Sequence, residues 1–218
     1  MITILIIALT SITSIMAFRD VSLMNRLIFY PPAVGRGQWY RLFSYGVLHA
    51  DTTHLIFNMF TLYMFGTTVE SIFKSALGNE VGSIAFVLLY ALSLLASIIP
   101  SYNKHKHDSY YRSLGASGAV SAIVFAYILI NPMNFMGIMF IPIMLPAFLF
   151  GIIFIAISVK LDKTQAGGIN HSAHITGGIF GIVLTTILFF SFAQINLLQS
   201  FISQIRVNSI SDLIHFGF

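Results

Sequence analysis

The 218 residues of this chain are 57% hydrophobic and only 8% charged, whereas soluble globular domains carry about 25% charged residues. This composition excludes an ordinary soluble domain and indicates that a lipid bilayer surrounds most of the chain. The net charge of +4 rests on few side chains, so we expect no nucleic-acid partner. Cysteine is absent, which excludes disulfides and thiol chemistry.

Six apolar segments are candidates for membrane-spanning helices, because about 20 apolar residues are needed to cross about 30 Å of hydrocarbon. In chain order they are residues 2–18, 55–73, 84–99, 117–130, 135–159 and 174–192. We expect helices, since a helix satisfies its own backbone hydrogen bonds in lipid. The first segment has no basic residue before it and no clear cleavage-site pattern, so we expect a retained span rather than a signal peptide.

These segments predict an all-α polytopic membrane protein, a bundle of six transmembrane helices with a long first loop over residues 19–53. We assign residues 1–195 to the membrane domain and residues 196–218 to a C-terminal tail. Apolar side chains recur in the tail at helical intervals, at Leu198, Phe201, Ile202 and Ile205. The tail is too polar for a seventh span, so we expect an interfacial amphipathic helix there.

Polar side chains lie at the same end of the second, fourth and sixth predicted spans. They are His54, Asn58, Ser117 and His174. An even number of crossings separates these spans, so all three enter the membrane from one side. The fourth span is only about 20 Å long at 1.5 Å per residue. We therefore expect Ser117 to lie below the membrane surface from which this span enters. Polar groups within lipid are costly and indicate function.

These four side chains have the chemistry of a hydrolytic site. A serine nucleophile needs a base that takes its proton and donors for the oxyanion that forms on attack. Ser117, at the start of a helix, has an exposed hydroxyl and a free backbone N–H beside it. His174 is the candidate base. His54 and Asn58, four residues apart on one helix face, are candidate donors.

Small residues are placed to bring the fourth and sixth spans together. Those that share a helix face with His174 are Gly177, Gly178 and Gly181. The small face of the fourth span is formed by Gly118, Ser121 and Ala122. Close packing of two such faces brings His174 within hydrogen-bond reach of Ser117. Gly115, just before the fourth span, leaves room for another chain to approach.

Each of these features also has a purely structural explanation. Ser117 alone is typical of a helix N-cap, and His174 alone is typical of a hydrogen-bonded structural histidine. Glycines alone are typical of helix packing, and His54 with Asn58 is compatible with a structural pair. The hydrolytic interpretation is favoured because the even number of crossings between the three spans, and their similar expected depth in the membrane, bring all of these residues to one place.

Three motifs in a fixed order resemble the signatures of the rhomboid intramembrane serine proteases, which are HxxxN, GxSG and AHxxGxxxG. They are HLIFN at 54–58, GASG at 115–118 and AHITGGIFG at 173–181. The match extends over about residues 37–190. The resemblance implies a catalytic dyad with Ser117 as nucleophile and His174 as general base. It also implies an oxyanion hole formed by His54, Asn58 and the N–H of Ser117.

The resemblance also implies structural support around the dyad. The supporting residues are Gly115, Gly118, Gly177, Gly181, Trp39, Arg41 and His49. Two positions depart from the family: Tyr40 separates Trp39 from Arg41, which familiar members have adjacent. Ser121 stands where some members place an aromatic ring that packs on the catalytic histidine. The orientation of His174 must therefore be set in another way.

The implied function is hydrolysis of peptide bonds in or next to transmembrane segments of membrane proteins. Peptide bonds within a helix are shielded in lipid, so the substrate must unwind into a water-filled cavity at the dyad. By resemblance, the substrate gains access when span five and the cap after it, residues 135–168, move. No cofactor is expected. The alternative is a catalytically inactive rhomboid-like protein that binds membrane-protein clients.

Other kinds of site have weaker support. A metal site would draw on His49, His54, His171 and His174. No HExxH motif and no carboxylate ligand accompanies these histidines, so we expect no metal. A transporter is expected to show inverted repeats, and none is visible. Asp51 is the nearest acid to span two, but its position indicates a helix start rather than the third member of a triad.

Membrane orientation has two interpretations. Lysine and arginine prefer cytoplasmic loops, and all 11 except Lys74 and Arg206 lie on the side of the dyad. This rule puts the dyad on the cytoplasmic side, whereas the resemblance to six-span bacterial members puts it on the outer side. The sequence has no organelle signal, so the expected location is the bacterial cell (inner) membrane. Neither the oligomeric state nor the natural substrate is indicated.

Overall fold

The computed structural model describes residues 1–137, 142–164 and 170–216, and most of them are helical. The α-helices in these ranges are α1 Ile2–Ala17, α2 Val21–Leu27, α3 Pro31–Val34, α4 Arg41–Ser44, α5 Thr52–Thr61, α6 Thr67–Leu77, α7 Asn79–His105, α8 Ser117–Ile130, α9 Ala147–Thr164, α10 His171–Ala193 and α11 Leu197–Gln204. The strands are β1 Phe135–Gly137, β2 Ile143–Pro146 and β3 His215–Phe216. A π-helical turn, Leu62–Gly66, joins α5 to α6.

Five predicted spans fall on helices, namely α1, α5 with α6, α7, α8 and α10. The bounds of α8 are those expected from the sequence, and α7 and α10 extend beyond their predicted ends. Within the described ranges, α7 and α10 are long and apolar enough to cross a membrane. The helices α1 and α8 are apolar but shorter.

The prediction of a helix over residues 135–159 is wrong in its first part. Phe135–Gly137 and Ile143–Pro146 are antiparallel strands, with Met136 opposite Leu145, and the helix starts only at Ala147. Proline has no N–H for a helix interior, so Pro142 and Pro146 prevent an earlier start. Residues 138–141 and 165–168 of the predicted access segment lie outside the described residues.

The C-terminal tail contains the helix that its apolar spacing predicted, and a short strand that was not predicted follows it. Its helix, α11, covers only Leu197–Gln204, with Leu197 buried and Ile202 exposed. A 3-10 turn follows at Ile210–Asp212, and β3 pairs antiparallel with β2 to give the sheet order β1-β2-β3. The described chain is mostly helical, as the sequence predicts, and a small antiparallel sheet that the sequence did not indicate is added to the helices.

The core surrounds α8, which is buried along most of its length. Its alanines Ala119, Ala122 and Ala126 are fully buried, and such small side chains let α7 and α10 lie close on either side. Farther along the bundle, aromatic rings from three helices fill the core. Phe73 packs edge-on against Phe86 and Phe189, at ring-centroid distances of 6.4 and 5.1 Å.

A buried carboxylate fixes the first helix to the bundle. Glu70 on α6 is only 1% exposed and accepts hydrogen bonds from the backbone N–H groups of Ile2 (2.9 Å) and Thr3 (2.8 Å) and from the Thr3 hydroxyl (2.7 Å). Lys74 pairs with the same carboxylate. A negative group at a helix start satisfies free N–H groups and the helix dipole together. No sequence pattern singled out Glu70 for this role.

The first loop is organised around the last turn of α2. The free carbonyls of this turn accept hydrogen bonds from side chains of α4 and of Tyr40, which precedes α4. Arg41 donates to the carbonyls of Asn25 (2.9 Å) and Ile28 (2.6 Å). The Tyr40 hydroxyl donates to the carbonyl of Arg26, and the Ser44 hydroxyl donates to the carbonyl of Leu27. Arg41 is thereby buried, while Trp39 is 68% exposed. Arg41 therefore ties α2 to α4 in this loop.

Candidate active site

The candidate nucleophile begins α8 after an unusual turn. Gly115 has φ +121°, a conformation that side chains rarely adopt, and a Cβ there would lie 2.9 Å from the His54 ring. Its N–H donates to the carbonyl of Tyr45 (3.0 Å), which fixes the turn. No side chain caps α8 within the described chain, so the first-turn N–H groups around Ser117 are open to a ligand.

Ser117 and His174 meet although 57 residues separate them in the chain. The Ser117 Oγ lies 2.8 Å from His174 Nε2. This is the distance at which an imidazole can take the hydroxyl proton. The order and spacing of the motifs predict this contact, and the structure brings the two side chains together.

Glycine packing sets the distance between α8 and α10. A Cβ on Gly177 would overlap the backbone of Gly118, and one on Gly181 would overlap the backbone of Ala122. The helices therefore touch backbone to backbone at the positions where the sequence places their small faces. On its other side, Gly118 faces the Ser97 side chain of α7, a contact that the sequence analysis missed.

Two rings pack against His174. Phe154 on α9 lies 6.3 Å away between ring centroids, and His171 lies edge-on at 5.7 Å. Phe154 thus supplies the aromatic neighbour that Ser121 does not. No single-residue pattern marks Phe154 in the sequence, because its contact depends on how α9 lies against α10. Among the described residues, no carboxylate pairs with His174.

The start of α10 is anchored by Asn170, which the sequence analysis also missed. Its side-chain oxygen accepts from the N–H of Ala173 (3.1 Å), and its amide donates to the Ser101 hydroxyl (2.7 Å) at the end of α7. The same amide reaches the Tyr111 hydroxyl at 3.4 Å. Asn170 therefore ties the first turn of the helix that carries His174 to two neighbouring segments.

The loop before α8 is held by its own contacts. The N–H of Tyr110 donates to Asp108 (2.9 Å) and holds the pKa of that exposed carboxyl below its usual value. His105 stacks on Tyr111 with 3.8 Å between centroids. Farther along, Ser113 pairs with Phe29 of the first loop. These contacts fix the chain that leads to Ser117.

The two predicted oxyanion donors lie on α5. Asp51 accepts from the N–H of His54 (2.8 Å) and caps this helix, so its predicted role as a helix-start residue is confirmed. The His54 ring lies against Gly115, next to Ser117. One N–H of Asn58 donates to the carbonyl of His54 (3.0 Å), which leaves the other amide proton for a ligand.

His49 is buried beside His54. The Ser14 hydroxyl donates to the carbonyl of Val47 (2.9 Å) and therefore accepts from Nδ1–H of His49 at 3.0 Å. This bond ties the segment before α5 to α1. The rings of His49 and His54 meet edge-on at 4.9 Å. Across the described ranges, no three His, Asp or Glu side chains are grouped as metal ligands.

In a serine hydrolase site, a serine hydroxyl is hydrogen-bonded to an imidazole and lies at a helix start whose N–H groups are open to a ligand. Ser117 and His174 have this arrangement. Here it lies within an apolar helical bundle. The sequence matches the Rhomboid domain family over residues 36–191, which is most of the chain. The chain belongs to the rhomboid family, whose members are integral membrane proteins.

Several curated relatives support this assignment. Over 168 residues the chain is 29% identical to the RHOMBOID-like protein 12, mitochondrial, of Arabidopsis thaliana, covering 73% of this chain and 49% of the relative. It is 36% identical over 87 residues to the rhomboid protease GluP of Bacillus subtilis, covering 40% and 15%. It is 33% identical over 141 residues to the presenilin-associated rhomboid-like protein, mitochondrial, of Rattus norvegicus, covering 62% and 34%. The chain spans about half the length of these relatives or less.

Proposed function

We propose that this protein is an intramembrane serine protease that hydrolyses peptide bonds in or next to transmembrane segments of membrane proteins. The observation that supports this most is the 2.8 Å separation of Ser117 Oγ and His174 Nε2. A catalytically inactive rhomboid-like protein that binds clients is the alternative. The intact pair of nucleophile and base favours the enzyme.

The proposed reaction begins when His174 Nε2 takes the proton of Ser117 and the hydroxyl oxygen attacks the scissile carbonyl. The resulting oxyanion is stabilised by the N–H of Ser117 and by the side chains of His54 and Asn58. His174 then gives its proton to the leaving amine, and the C–N bond breaks to leave an ester on Ser117. Water, with His174 again as base, hydrolyses the ester and restores the serine.

The proposed dyad works without the acid that orients the histidine in a triad. Packing takes over this task. Phe154 and His171 contact two sides of the His174 ring, and the contact of Gly177 with the Gly118 backbone fixes the helix that carries it. Orientation by packing holds the ring but adds no negative charge to stabilise the imidazolium.

The bilayer is a partner of the proposed enzyme. In our proposal six crossings are made by α1, α5 with α6, α7, α8, α9 and α10, within a membrane domain of residues 1–195. The apolar α7 and α10 support this. We place the protein in the bacterial cell membrane. Substrates are proposed to reach the dyad past α9, since Phe154 of that helix covers one side of His174.

The proposal is tested with the full chain in liposomes and a single-span reporter protein. Ser117→Ala and His174→Ala should each abolish cleavage while the melting temperature stays that of the wild type. Ser109→Ala and His107→Ala, at exposed loop positions, are the matched controls and should cleave normally. Cleavage that survives Ser117→Ala would exclude the nucleophile. A wild type that binds the reporter without cleaving it would support the inactive alternative.

A further inference from the structure

The base of α9 is tied to the small sheet. Strand β2 ends at Pro146 and α9 starts at the next residue, Ala147, so the strand leads into the helix without an intervening loop. The first N–H groups of α9 donate to the turn after α8: Ala147 to the carbonyl of Asn134 (2.8 Å) and Phe148 to that of Pro132 (3.0 Å). Whatever holds β2 therefore also holds the base of α9.

The far part of α9 touches the dyad. Phe154 lies seven residues above the base, about 10 Å along the helix, and packs against both His174 and Phe125. Between these points, Gly151 faces the side chains of Ile128 and Phe125. A tilt of α9 about its base moves Phe154 away from His174 and opens the side of the dyad to the membrane.

The C-terminal tail reaches the same junction from another direction. The helix α11 is fixed to the bundle by the buried Leu197 and by Gln204, which donates to the carbonyl of Ile130 (3.3 Å). After a turn closed by the Ser209–Asp212 capping box, β3 pairs with β2. Only two residues pair, with His215 opposite Met144 and Phe216 opposite Ile143, and both residues of β3 are exposed.

We propose that residues 205–216 form a strap that restrains α9 through the pairing of β3 with β2. A pairing this short and exposed is reversible. When β3 is paired, the base of α9 is held and Phe154 stays on His174; when β3 leaves, α9 tilts and a transmembrane substrate gains access. This inference rests on the proposed protease function and adds its regulation.

A reversible cross-link tests the strap, because the natural chain has no cysteine. Met144 and His215 are directly opposite each other, and Cα atoms of opposed antiparallel residues are about 4.5–5.5 Å apart, within disulfide range. In the Met144→Cys/His215→Cys variant, oxidation should slow reporter cleavage severalfold and a reductant should restore it. The single-cysteine variants should not respond to the oxidant.

The opposite change is to remove the pairing. The double variant His215→Pro/Phe216→Pro lacks the two N–H groups of β3 and should cleave the reporter severalfold faster. Ile210→Pro is the matched control, since the first position of a helical turn tolerates proline, and it should leave cleavage unchanged.

Labelling of Ser117 by a small fluorophosphonate separates the two proposals. The strap variants should label like the wild type, because a small probe does not need α9 to move. Normal labelling with reporter cleavage unaffected by the disulfide and by the prolines would overturn the strap. Faster cleavage on oxidation would overturn it as well. A wild type that does not label would instead overturn the proposed protease function.

Discussion

The distance between the proposed nucleophile, Ser117, and its proposed base, His174, depends on a residue with no side chain. Gly177 meets the backbone of Gly118 so closely that a methyl group has no room. Gly177→Ala should therefore push α10 away from α8, and a shift of about 1 Å at a catalytic pair costs about 100-fold in rate. We expect reporter cleavage to fall by at least this much.

The control is the same substitution at a glycine that has free space around its Cα atom. A Cβ on Gly35 would have no neighbour nearer than 3.7 Å, so Gly35→Ala should keep full activity. Equal activity of the Gly177 and Gly35 variants would show that close helix packing does not position His174.

The proposed oxyanion donors lead to a kinetic prediction. His54 lies against Gly115 at the start of the nucleophile's turn, so its proposed role is to stabilise the oxyanion. Loss of one such donor typically lowers kcat by about 100-fold or more. His54→Ala should show this fall in kcat with little change in KM. A rise in KM with kcat preserved would assign His54 to substrate binding instead.

For single residues, the sequence predictions agree best with the structure where the residue belongs to one of the three motifs. The positions of Ser117 and His174 follow from the order and spacing of the motifs. Phe154 and Asn170 were missed, because each acts through a contact between segments distant in the chain. Such contacts have no local pattern, so they emerge only when the helices are packed.

At the scale of elements, α1 depends on one carboxylate. Glu70 accepts three hydrogen bonds from the first residues of α1, and hydrogen bonds to a charged group contribute roughly 1.5–3 kcal/mol each. Because these gains are not additive, we expect Glu70→Ala to destabilise the protein by about 3 kcal/mol. Thermal unfolding of the purified protein should show a clearly lower Tm.

Glu80→Ala is the matched control, since Glu80 is exposed near the start of α7. It should change the Tm little. If both variants unfold at the wild-type temperature, α1 is held by its apolar contacts alone and the carboxylate is not needed.

Helix prediction failed where prolines interrupt an apolar run. Residues 135–159 are apolar throughout and looked like one span, yet Pro142 and Pro146 leave a strand and a late helix start at Ala147. The apolar spacing of the tail predicted a helix, and Leu197–Gln204 forms one, whereas the pairing of His215 and Phe216 with that strand was not predicted. Hydrophobicity locates the apolar segment, but Pro142, Pro146 and the pairing of β2 with β1 decide where it is a strand and where its helix starts.

For the whole molecule, the topology predicts which loops share a side. Ser109 follows α7 and Ser75 lies at the end of α6, and both are exposed. In the cysteine-free chain, Ser109→Cys and Ser75→Cys should react with a membrane-impermeant thiol reagent from opposite sides of the membrane. Labelling of both from one side would contradict the six-crossing arrangement.

The same experiment settles the orientation. Labelling of Ser109→Cys from outside intact cells would support the family-based expectation that the dyad lies on the outer side. Labelling only after the cells are opened would favour the charge rule, which the cationic loops around the dyad suggest.

The central claim is that His174 activates Ser117. The most direct measurement is mass spectrometry of the full-length protein after treatment with a fluorophosphonate, with the modified residue identified by peptide mapping. We predict one adduct on Ser117 in the wild type and a large loss of that adduct in His174→Ala. An adduct on another serine, or equal labelling of Ser117 with and without His174, would contradict the claim.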